Sequence, residues 1–92
     1  MNTIWKYRIP VSSKFTLSSP EGSQYLTVQM QRGYPVVWAL CEADNECVDY
    51  TFYTFGTGYP LDMPEGVDIK YLGTYQVEGL MVYHLFQEVS GS

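Results

Sequence analysis

The chain has 92 residues, of which 16% are charged and 16% aromatic, and it carries a net charge of −5. That length holds one domain, residues 1–92, with a small core, and an aromatic-rich, charge-poor composition excludes disorder. No run approaches the ~20 apolar residues of a membrane helix, the start MNTIWKYRIP lacks the apolar run of a secretory leader, and an acidic total argues against duplex nucleic acid, whose affinity rests on many phosphate contacts from Lys and Arg.

In chain order the segments read as strands. Thr3–Ile9 alternates, with Trp5, Tyr7 and Ile9 on one face and Lys6 and Arg8 on the other, the period of a half-buried strand. Pro10 ends it. Phe15–Leu17 reads as a short second strand closed by the turn Ser19-Pro20-Glu21-Gly22. In Gln24–Gln31, alternation places Leu26, Val28 and Met30 inward and Tyr25, Thr27, Gln29 and Gln31 outward. Arg32-Gly33 reads as a tight turn into Tyr34–Cys41, which is apolar on both faces. Such a strand is central, or lies under a subunit contact.

Val48–Phe55 follows, rich in the Tyr, Phe and Thr that strands favour. Residues 56–68 hold Pro60 and Pro64 and no clear period, and read as a loop. Ile69–Val77 and Leu80–Val89 are the last strands, joined by a two-residue linker, Glu78-Gly79. The tail Ser90-Gly91-Ser92 reads as frayed. The expected fold is all-β: about seven short antiparallel strands in a small sandwich or barrel.

Charge is uneven. Residues 1–32 sum to +3 through Lys6, Arg8, Lys14 and Arg32, and residues 33–92 sum to −8. This is either scatter among few charges, or a basic patch built to meet an anion or an acidic patch on a neighbouring subunit. Cys41 and Cys47 flank an acidic segment and could face each other across a hairpin. Without an export signal the thiols are expected to be reduced. Two Cys and one His do not complete a structural zinc set, so no metal or cofactor is expected.

Four features could carry binding. Phe55-Gly56-Thr57-Gly58-Tyr59 combines aromatics with glycines that let backbone amides approach an anion; otherwise it is a turn needing positive φ. His84 shares the face of Leu80, Val82 and Phe86, as a ligand contact or as a hydrogen-bonded core or interface residue. Lys6 and Arg8 project together and could bind phosphate, or they are the solvated side of an edge strand. Nine Tyr and two Trp exceed what a small core absorbs, which suits recognition surfaces or oligomer contacts. No nucleophile elbow or metal box is present, and no catalytic residue is assigned.

Thr3-Ile4-Trp5-Lys6-Tyr7, Trp38-Ala39-Leu40, Phe55-Gly56-Thr57-Gly58, Tyr71-Leu72-Gly73-Thr74-Tyr75-Gln76 and Val82-Tyr83-His84-Leu85-Phe86 together resemble a family of short proteins of tailed phages and bacterial prophages. Members of that family often carry His where Tyr59 stands, and the departure counts against a catalytic or metal role for this loop. The resemblance implies a phage-related protein of the host cytoplasm and carries no activity with it. In that setting the expectation is a non-enzymatic, homo-oligomeric binding protein that counters bacterial defence. It would hold a nucleotide-type immune signal with Lys6, Arg8, Phe55, Gly56, Thr57, Gly58, Tyr59 and His84. The alternatives are direct inhibition of a host defence protein through the acidic half, and an accessory structural role.

Overall fold

The computed structural model describes residues 1–61, 63–79 and 81–90, the last without its side chain. Seven strands form: β1 Asn2–Arg8, β2 Lys14–Pro20, β3 Gln24–Gln31, β4 Tyr34–Glu42, β5 Cys47–Gly56, β6 Asp68–Gln76 and β7 Val82–Ser90. All pair antiparallel, in a three-stranded sheet β1-β4-β3 and a four-stranded sheet β2-β5-β7-β6. The result is an open sandwich rather than a closed barrel. No helix occurs among the described residues, so none is long and apolar enough to cross a membrane.

The β3–β4 hairpin turns on Arg32 (φ 51°) and Gly33 (φ 85°), the paired positive φ of a two-residue turn whose twist suits the flanking strands. Other boundaries depart from the sequence expectation. β2 runs on through Ser18, Ser19 and Pro20, in register with Asp49, Val48 and Cys47. Proline is tolerated there because β2 is an edge strand. The β6–β7 connection is longer than two residues: β6 ends at Gln76, β7 begins at Val82, and the Val77 N–H donates to the Met81 carbonyl at 3.3 Å. Leu80, Gly91 and Ser92 lie outside the described residues.

The largest difference concerns β3. Its register slips between Tyr25 and Thr27, a bulge that reverses the phase of alternation. Tyr25 therefore points inward and is fully buried, while Leu26 is 42% exposed. Tyr25 becomes the centre of the core. Its ring meets Phe52 edge-on at 4.8 Å and Tyr50 at 5.6 Å, and Phe52 stacks on Phe15 at 5.2 Å. Ile9, Val28, Val37, Ala39, Cys41, Leu72, Tyr75 and Leu85 complete the core.

A second bulge, between Tyr71 and Gly73, lets β6 lie close on β3. A Cβ on Gly73 would stand 2.7 Å from Val28 Cγ1, with the Val28 backbone just beyond. The sheets meet along this line because residue 73 has no side chain.

Candidate functional site

The outer face of the four-stranded sheet carries an aromatic row across three strands. Tyr53 and Phe55 stack nearly parallel at 6.5 Å on β5. Phe55 meets Phe86 of β7 edge-on at 5.6 Å, and Phe86 meets Tyr71 of β6 at 5.4 Å. At one end, Met63 and Pro64 from the long connection line a recess with Ser13, Lys14 and Tyr53, and the Tyr53 hydroxyl donates to Glu88 at 2.9 Å. That bond raises the Tyr53 pKa above its ordinary value. The other end is open, and Tyr71 is 54% exposed.

His84 lies on the same face, opposite Phe55 on one side and Thr74 on the other. Its Nε2 is 2.7 Å from Thr57 Oγ1 and its Nδ1 is 2.9 Å from Thr74 Oγ1. Tyr71 bonds Thr74 in turn. The Thr57 hydroxyl also reaches the Val82 carbonyl at 3.3 Å. A carbonyl only accepts, so for a neutral imidazole the whole chain takes one direction. Thr57 donates to Val82, His84 Nε2–H donates to Thr57, Thr74 donates to Nδ1, and Tyr71 donates to Thr74. Each hydroxyl thus helps fix the ring plane and tautomer of His84.

The glycine loop does not form an amide cradle. The Thr57 N–H donates to Val82 at 3.0 Å and the Tyr59 N–H to Gly56 at 3.1 Å. Gly58 holds φ 87°, so this stretch is a turn whose amides are largely used within the chain. The exposed Tyr59 ring stands over Gly56.

Lys6 and Arg8 are elsewhere, on the outer face of the three-stranded sheet. They do not converge on a common point. Lys6 reaches across β4 to the Gln31 side chain, and the Arg8 guanidinium lies flat over the Tyr34 ring at 3.4 Å. The two cations and the Phe55–Tyr59/His84 group therefore occupy opposite faces of the sandwich. A recess near 510 Å³ borders Arg8, Ile9, Pro10, Val11, Tyr34 and Val77, and among these residues Arg8 alone brings a charged side chain.

Sequence reasoning placed Phe86 on the face of His84 without counting it as a ligand contact, and it missed Tyr71 and Thr74. Phe86 stands two residues from His84, where strand period places it on the same face. Tyr71 and Thr74 share that face only because the bulge absorbs one residue between them. Cys41 is buried in the core, where the Ser23 hydroxyl meets its sulfur at 3.3 Å, and Cys47 is exposed; both thiols are free. Among the described residues no three His, Cys, Asp or Glu side chains converge as a metal site.

Fold and site together define a small, open, two-sheet antiparallel β domain with an aromatic and hydroxyl-lined outer face. The chain belongs to the family described as Domain of unknown function (DUF7352), whose model it matches over residues 1–92. No curated protein and no solved structure matches it.

Proposed function

We propose that the protein is a non-enzymatic binding protein whose ligand site is the Tyr71–Phe86–His84 face, and that the ligand is a planar heteroaromatic ring such as the base of a nucleotide-type signal. In the phage setting that the motifs resemble, this binding withdraws an immune signal of the host. The supporting observation is the exposed Tyr71 ring at the open end of the aromatic row, beside an imidazole held by Thr57 and Thr74. Stacking supplies affinity for any base, and the hydroxyls and imidazole offer hydrogen bonds to its edge. Lys6 and Arg8 stand on the other sheet, so within one chain the ring rather than the phosphate carries recognition.

Calorimetric titration with nucleosides, cyclic oligonucleotides and ADP-ribose derivatives tests this. Binding by one of them, weakened about 5- to 100-fold by Tyr71→Ala, is the expected result. No heat with any of them overturns the reading, and turnover of a bound ligand would make the protein an enzyme. One observation favours a second reading, direct capture of a basic host protein: Asp44, Glu46 and Asp49 are all exposed around the β4–β5 connection. That reading requires capture to be lost when the three are neutralised.

A further inference from the structure

The outer face of the three-stranded sheet is uncovered and has a polarity along its strands. Ladder register places Asn2 beside Glu42, Ile4 beside Leu40, Lys6 beside Trp38 and Arg8 beside Val36. The middle is apolar: Ile4 is 57% and Leu40 36% exposed, and Trp38 is half-buried. One end is basic, with Lys6, Arg8 and, in the adjoining turn, Arg32. The other is acidic, with Glu42 and, just beyond it, Asp44, which share the N-terminal ammonium of Met1 and together with it keep a net negative charge. Glu42 lies six residue steps beyond Val36 along β4, about 20 Å of extended chain.

We propose that this face is a homodimer interface, in which a second copy packs face to face with its strands reversed. The two-fold axis lies between the copies and crosses the strands at the level of Ala39. This operation places Trp38 of each copy against Leu40 of the other, and Arg8 of each near Glu42 of the other. The opposite choice, with the axis along the strands, sets basic end on basic end. The face is thus self-complementary under one two-fold operation and repulsive under the other, as an isologous contact requires.

Arg8 is prepared for this role. Stacking on Tyr34 uses the flat face of the guanidinium and leaves its in-plane N–H donors open to a carboxylate. Lys6 and its bond to Gln31 carry an aliphatic stem across β4, adding apolar cover beside the otherwise outward-facing Val36, which is buried. Three strands about 4.8 Å apart and about 20–25 Å long give a footprint below the ~800 Å² per partner of a standard interface. The dimer therefore dissociates on dilution and loosens in salt.

Sedimentation velocity across a concentration series tests the proposal. The expected result is a monomer–dimer equilibrium whose dissociation constant rises at least tenfold in Leu40→Glu and in Ile4→Glu. Ile4 lies on an edge strand, so its variant serves if Leu40→Glu fails to fold by circular dichroism. Arg8→Glu and Glu42→Arg are each expected to be monomeric alone, because each sets like charges together twice. An equimolar mixture of the two restores the dimer, since both contacts then pair opposite charges. A wild-type chain that stays monomeric overturns the proposal, as does a dimer indifferent to Leu40→Glu and Ile4→Glu. So does a mixture that remains monomeric.

Discussion

Tyr25 and Tyr75 each bring a phenol into the core, under opposite conditions. The Tyr25 hydroxyl pairs with Ser19 at 2.6 Å in a buried site. The Tyr75 hydroxyl and the nearby Thr54 hydroxyl are both buried and meet no partner at hydrogen-bond geometry among the described residues. Removing one member of a buried pair strands the other, whereas removing an orphan relieves a desolvation cost. Tyr25→Phe is therefore expected to cost about 1–2 kcal/mol, and Tyr75→Phe to be neutral or stabilising by up to about 1 kcal/mol. Urea denaturation of the two variants checks the contrast. Neither role is legible in the residues alone. Plain alternation sends Tyr25 to the surface, and only the bulge brings it inside. His84 shows the same limit: its face is readable from its strand, but its partners Thr57 and Thr74 come from a loop and a bulged neighbour.

At the scale of the strand, the contact of β6 with β3 depends on Gly73. Gly73→Ala drives a methyl against Val28 in a packed site, and overpacking of this kind costs about 1–3 kcal/mol. Adding Val28→Ala removes the clashing Cγ1 atom, so the pair is expected to be less destabilised than the sum of its members, as a double-mutant cycle by denaturation reports. Strand positions were largely legible, because each element has a β-rich run bounded by Pro, Gly or charge. The Arg32-Gly33 turn was legible because its chemistry requires positive φ. The extension of β2 through Pro20 was hidden, because a proline that ends a central strand is permitted on an edge. The split of the candidate site between two sheets was hidden as well, since pairing order sets which strands share a sheet and no local pattern encodes it.

For the molecule as a whole, burial of tyrosine sets the alkaline limit of stability. Burial pushes Tyr25 and Tyr75 up to about 12. Tyr7, first through burial and then through the neighbouring Cys41 thiol, is also raised to about 12. In the unfolded chain these phenols lose their protons near 10.0. Between those values the unfolded state has released protons that the folded state retains, so rising pH favours unfolding. Stability is expected to hold below pH 10 and to fall between about pH 10 and 12, read as a drop in melting temperature with phenolate absorbance appearing together with unfolding. The molecule is also thin, 40 × 35 × 15 Å, so its two outer faces make up much of its surface.

The chain order has a consequence for how the fold could be divided. β1, β3 and β4 make one sheet, but β2 and β5 lie in the other, and β6 and β7 complete that second sheet from beyond the long exposed connection. A cut at 57–61 would leave an upstream piece with one finished sheet and two strands of the next, its β5 edge bare. The downstream piece would be a lone hairpin, too small to persist unaided. Each half then holds what the other lacks, so the chain is built as two complementary fragments whose reunion restores the Thr57–His84 contact across the cut.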